Sequence, residues 1–185
     1  MPNTKQLIQT SSFRQMDSVL PPVSSAAWAS FLTGHDPLHH GILGFVDRDP
    51  STLEWYVPSG QRLKKPTVLE RLSGSGRQVF SMNVPLTWPP KPVNGIVIGG
   101  FLAPDLDRAT WPAHLGKVLK ARGYRIDADV ELAKTDPAAF LDQLEDIMKK
   151  RFDVALSYLD KRPWDLFLLH IMETDRLHHF FWKYM

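Results

Sequence analysis

From residue 165 to residue 172 the chain reads Asp-Leu-Phe-Leu-Leu-His-Ile-Met, almost without alternation of polar and apolar positions. A strand that is apolar on both faces has to be covered on both faces, the habit of parallel sheets flanked by helices. Residues 78–83 read as a second strand, and residues 95–102 as a buried strand or extended segment. Helical patterns lie around them. Residues 67–72 suit a helix. Thr110-Trp111-Pro112 supplies an N-cap and a proline near the first helical position for a helix running to about Arg122, with Gly123 behind it. Thr135-Asp136-Pro137 repeats that start signal, after which Phe140, Leu141, Leu144, Ile147, Met148, Phe152, Ala155, Leu156 and Leu159 fall on one helical stripe.

Toward the N-terminus, Leu7-Ile8 suits a helix and residues 16–20 a short strand that stops at Pro21-Pro22. Two serines, Ser24 and Ser25, then open a run of small residues with good helix propensity, closed by Gly34. Residues 34–66 are rich in Gly, Pro, Asp and His and are expected to be mostly loop. Helices alternating with apolar strands predict a layered α/β/α fold around a largely parallel central sheet.

Composition narrows the function classes. A chain of 185 residues is one domain or a piece of one. With 43% hydrophobic residues and a net charge of +2 it is neither disordered nor equipped with a general nucleic-acid footprint. The sequence contains no cysteine, which excludes a thiolate nucleophile, a disulfide scaffold and any cysteine-bound metal. Its longest apolar runs fall far short of the ~20 residues of a membrane span. Met1 is not followed by a charged and then apolar leader, so a cytoplasmic protein is expected. G-x-S-x-G, G-x-x-x-x-G-K-[ST], H-E-x-x-H and G-x-G-x-x-G are all absent, against elbow-type serine hydrolases, P-loop enzymes, zincins and Rossmann dehydrogenases.

Ligands of open α/β sheets gather beyond the carboxyl ends of the strands. Two segments fit that position. A helix opening at Ser24 and Ser25 offers free N–H groups and a positive dipole end to a phosphate, with a hydroxyl that can attack phosphorus. On pattern alone, serines that merely cap the helix are the commoner case. The second segment, Glu173-Thr174-Asp175-Arg176-Leu177-His178-His179, follows the apolar strand directly. Asp175 and His179 stand one helical turn apart and can share a Zn²⁺-like ion, or serve as an N-cap aspartate and a surface histidine. His35, Asp36, His39 and His40 form a third cluster, for which a polar loop is the simpler account. Asn83, Thr87 and Trp88, within a proline-rich stretch after a strand, are candidates for a substrate rim or lid.

Read together, these segments resemble a known family. The run Leu20-Pro21-Pro22-Val23-Ser24-Ser25-Ala26-Ala27-Trp28-Ala29-Ser30-Phe31-Leu32-Thr33-Gly34, followed by His40-Gly41-Ile42, is similar to the nucleophile region of the alkaline phosphatase superfamily. It most resembles the type I phosphodiesterase/nucleotide pyrophosphatase branch and its prokaryotic members. Residues 172–182 resemble that family's D-x-x-x-H metal segment. The resemblance implies Ser24, nine residues before Thr33, as nucleophile, with Ser25 as its rival. It implies two divalent ions, zinc or manganese, with Asp175 and His179 on one and Ser24 approaching the other. A small phosphate-ester substrate and a phosphoserine intermediate follow from it. Sulfatases of the superfamily carry C/S-x-P-x-R, whereas Ala26 and Trp28 stand at its Pro and Arg positions here. Ala27 replaces an Asn of the eukaryotic-type nucleotide pyrophosphatases. The family's first metal-binding Asp, its D-H-G segment and its final His would lie outside residues 1–185. The chain is therefore expected to be a partial catalytic domain, poorly active alone. The alternatives are a phosphotransferase of the phosphoglycerate-mutase type and a non-catalytic binding module keeping the scaffold.

Overall fold

Turn chemistry and apolar periodicity set most element boundaries. The computed structural model describes residues 2–185. In chain order it contains α1 (Pro2–Thr10), α2 (Ser24–Thr33), α3 (Pro37–His40), β1 (Asp47–Arg48), β2 (Trp55–Tyr56), α4 (Val68–Gly74), β3 (Val79–Val84), β4 (Gly95–Gly99), β5 (Thr110–Trp111), α5 (Leu115–Ala121), α6 (Leu132–Thr135), α7 (Pro137–Leu159), β6 (Leu166–Leu169) and α8 (Glu173–Phe181). Thr67 and Glu70 close a reciprocal capping box at the start of α4. Asp136 accepts a hydrogen bond from the Ala139 N–H ahead of Pro137, so α7 begins where its sequence signal stands. Gly34 ends α2 at φ 70°, a left-handed conformation that suits glycine.

The main sheet has the order β5-β4-β3-β6. Its central strand β3 runs parallel to both β4 and β6, and β5 is antiparallel to β4. One face (Phe80, Met82, Ile96, Ile98, Phe167, Leu169) packs on Leu115 and Leu119 of α5 and on Val154 and Ala155 of α7. The other meets Leu69 of α4 through Val79, Val97 and Leu166, and Ala29 and Leu32 of α2 through Leu168. The fold is thus a mixed α/β, three-layer arrangement on a mostly parallel sheet, as the alternation of patterns predicts. Among the described residues no helix is long and apolar enough to cross a membrane.

Four local expectations are corrected. Residues 16–20 form no strand: Met16 and Leu20 are exposed with no ladder partner, and the following prolines offer no N–H. Thr110 and Trp111 pair with β4 instead of starting a helix, so α5 opens later, behind His114. On α7, Leu141, Phe152, Leu156 and Leu159 stay exposed, because only the narrow set Phe140, Leu144, Ile147, Arg151, Val154 and Ala155 faces inward. β6 is half-buried and lies at one edge of the sheet, so its apolar sequence is covered less fully than a central strand would be.

Candidate active site

Because β3, β4 and β6 are parallel, their carboxyl ends open on one edge, where a parallel sheet places its ligands. A cavity of about 340 Å³ lies there. It is lined from α2 by Ser24, Ser25 and Trp28, from the chain after β3 by Pro85 and Leu86, and from the chain after β4 by Phe101 and Leu102. His170 and Met172 follow β6 into it, and α8 contributes Asp175, Arg176 and His179. The two segments selected on the sequence are therefore brought together, although no strand delivers Ser24.

Neither serine caps α2. The capping position is Val23, in an extended conformation and without a side-chain bond to the helix. Ser24 is the first helical residue and is exposed, whereas Ser25 is buried and its Oγ has no hydrogen-bond partner. An unpartnered buried hydroxyl is costly. Both serines line the cavity, and of the two Ser24 is the exposed one.

On α8 the helix starts at Glu173, so Asp175 is not its cap. Asp175 Oδ1 and His179 Nε2 lie 3.5 Å apart on the cavity side, both more than half exposed. His178 is exposed elsewhere on the helix, its ring beside Trp182. Among the described residues no group of three or more His, Cys, Asp or Glu converges as a metal cage.

The third cluster disperses. Asp36 caps α3 and pairs with exposed His39. His35 Nδ1 lies 2.8 Å from the Thr33 carbonyl. His40 is fully buried, with Nε2 2.9 Å from Ser30 Oγ and Nδ1 accepting the Ile42 N–H. Burial pushes its pKa below the usual histidine range. All of its ring nitrogens are engaged, so it is a core histidine.

The rim expected at Asn83, Thr87 and Trp88 is also moved. Asn83 (φ 62°) and Leu86 (φ 63°) adopt left-handed conformations that swing Pro85 and Leu86 to the cavity. Asn83 is buried beneath it, and Thr87 Oγ1 donates to the Val84 carbonyl. Trp88 lies instead on a neighbouring cavity that shares Leu86, Phe101 and Leu102.

Sequence reasoning passed over His170, Trp28 and Arg176. His170 Nδ1 sits 2.9 Å from the Asn83 carbonyl, and burial lowers its pKa. The Arg176 guanidinium pairs with Asp127 and lies 5.1 Å from the Phe101 ring centre. Arg151, which the sequence groups with Lys149 and Lys150 as a solvated charged face, is instead fully buried against Glu173 below α8. A charge at an inward position of the α7 stripe was the available signal.

A mostly parallel sheet with its cavity at the strand carboxyl ends, flanked by helices on both faces, is the architecture of the alkaline phosphatase-like α/β enzymes. The chain belongs to the type I phosphodiesterase/nucleotide pyrophosphatase family, whose model matches residues 1–184. It is therefore a hydrolase-type enzyme of phosphate esters within the alkaline phosphatase superfamily. No curated protein matches it.

Proposed function

We propose that the chain provides the nucleophile and one metal-ligand pair of a phosphodiesterase or nucleotide pyrophosphatase acting on a small, soluble phosphate ester in the cytoplasm. The observation that carries this reading is the meeting of exposed Ser24 with Asp175 and His179 on one cavity. Ser24 Oγ attacks phosphorus. As the Oγ–P bond forms, the bond from phosphorus to the leaving oxygen breaks, and that oxygen keeps the electron pair and takes up the proton released from Ser24 Oγ. Water then attacks the phosphoserine, the Oγ–P bond breaks, and Ser24 recovers its proton. The free N–H groups at the start of α2 face the phosphoryl oxygens throughout.

A carboxylate and an imidazole 3.5 Å apart on an open cavity wall suit a zinc or manganese ion. Asp175 and His179 would hold one of two ions and the Ser24 oxygen would approach the other. When bound, such ions supply charge neutralisation at the attacking and leaving oxygens.

The test is hydrolysis of bis(p-nitrophenyl) phosphate with added Zn²⁺ or Mn²⁺. Turnover, however slow, is expected to vanish in Ser24→Ala and Asp175→Ala, and acid quenching should trap a phosphoryl adduct on Ser24. An adduct elsewhere, or turnover indifferent to both substitutions, would sink the reading. Transfer of the phosphoryl group to an added alcohol in place of water would favour the phosphotransferase.

A further inference from the structure

We propose that Arg151, which lies outside the cavity lining, is the positioning residue that holds the Asp175–His179 pair in register with the Ser24 helix. The inference rests on the reading of Asp175 and His179 as metal ligands.

Arg151 projects from α7 and is 0% exposed. Its Nε and Nη2 donate to Glu173 Oε1 at 2.9 and 2.6 Å. Nη1 donates to the Tyr124 hydroxyl at 2.8 Å, and Nη2 also to the Ile126 carbonyl at 3.2 Å. Burying a guanidinium is unfavourable unless its donors are matched, and here each nitrogen has a partner. Glu173 is the first residue of α8, two positions before Asp175. Directly after Asp175, Arg176 forms a second ion pair with Asp127. Further along, Phe181 packs with Phe140 and Leu144 of α7. α8 is thus fastened on both sides of Asp175, by Glu173 and Phe181 on its inner face and by Arg176 at the cavity edge, and it presents Asp175 and His179 to the cavity.

The same guanidinium reaches the other half of the site. The Tyr124 hydroxyl that it contacts lies 3.5 Å from Asn83 Oδ1, and the Asn83 carbonyl is held by His170 Nδ1 at 2.9 Å. The His170 ring stands against Trp28, one turn beyond Ser24 on α2. One buried cation therefore ties the ligand helix to the nucleophile helix through a continuous set of contacts. Outer partners of this kind fix the direction of metal ligands.

The experiment is calorimetric titration of the whole chain with Zn²⁺ and with Mn²⁺, alongside circular dichroism and a thermal melt of the same samples. Arg151→Met is expected to weaken metal binding tenfold or more at a temperature where the variant is folded. Arg151→Lys should restore only part of the affinity, since one ammonium cannot serve Glu173, Tyr124 and Ile126 together. Glu173→Gln and Tyr124→Phe remove single partners and serve if Arg151→Met does not fold; each should weaken binding severalfold. A purely structural Arg151 would lower the melting temperature and leave the affinity of the folded variants unchanged, which would overturn the inference. Failure of the wild-type chain to show metal binding that Asp175→Ala removes is a different result. It would strike at Asp175 and His179 as ligands, and the inference would fall with them.

Discussion

The indole of Trp28 stands edge-on to the imidazole of His170, with ring centres 4.7 Å apart and planes at 68°. This contact joins α2, the helix that carries Ser24, to the end of β6 across the cavity. Aromatic pairs in such geometry contribute about 0.5–1.5 kcal/mol beyond their buried area. Trp28→Leu should therefore lower unfolding stability by about 1–2 kcal/mol in urea titration and move Ser24 relative to α8, reducing any diesterase turnover. A variant as stable and as active as the wild type would mean that the ring contact does not couple the two segments.

The two serines should separate cleanly. Ser24→Ala is expected to remove activity without changing the melting temperature, because the Ser24 side chain is exposed and caps nothing. Ser25→Ala removes a buried hydroxyl without a partner, a group whose burial costs about 1–3 kcal/mol, so stability should hold or rise. Loss of turnover in Ser25→Ala alone would transfer the role to Ser25.

Acid should weaken the fold in a defined window. His40 and His170 both have pKa values lowered by burial, so the unfolded chain binds protons more readily than the folded one. By linkage, their contribution is complete above the unfolded histidine value, about 6.5, and is lost as pH falls toward the folded values. Melting temperature should drop between pH 7 and pH 5.5, and His40→Gln should flatten the drop. An unchanged slope in that variant would remove His40 from the account.

Gly95 lies at φ 150°, and a Cβ there would fall 1.8 Å from the Val79 carbonyl oxygen of the neighbouring strand. Gly95→Ala should cost at least about 2 kcal/mol, read from denaturant midpoints, since both the backbone conformation and the β3–β4 register oppose it.

Metal binding should show as stabilisation. If Asp175 and His179 hold an ion, saturating Zn²⁺ or Mn²⁺ at about 100 times the dissociation constant adds about 2.7 kcal/mol. The corresponding rise in melting temperature should disappear in Asp175→Ala and in His179→Ala.

What the sequence revealed followed from how local each signal was. α7 announced itself because Asp136, Pro137 and the inward stripe all act within a few residues. Ser24 and the Asp175–His179 segment were each legible as lying beyond a strand end, but joining them took the family resemblance, since 150 residues separate segments that the parallel sheet brings to one edge. Thr110 and Trp111 carried a helix-start pattern, but the open side of β4 recruited them as a strand. Arg151 and His170 were hidden for a related reason. Their partners Glu173 and Asn83 come from distant stretches of chain, and no local periodicity encodes that meeting.

By its 23 residues α7 is about 35 Å long. Phe140 and Leu144 near its start pack with Phe181 of α8, while Val154 and Ala155 near its end pack on the sheet. Freeing α8 locally would strip one end of a beam whose other end is set in the main core. The amides of α8 should therefore exchange with solvent deuterium nearly as slowly as those of β3, opening in a single cooperative unit with the core and not as a fraying surface helix.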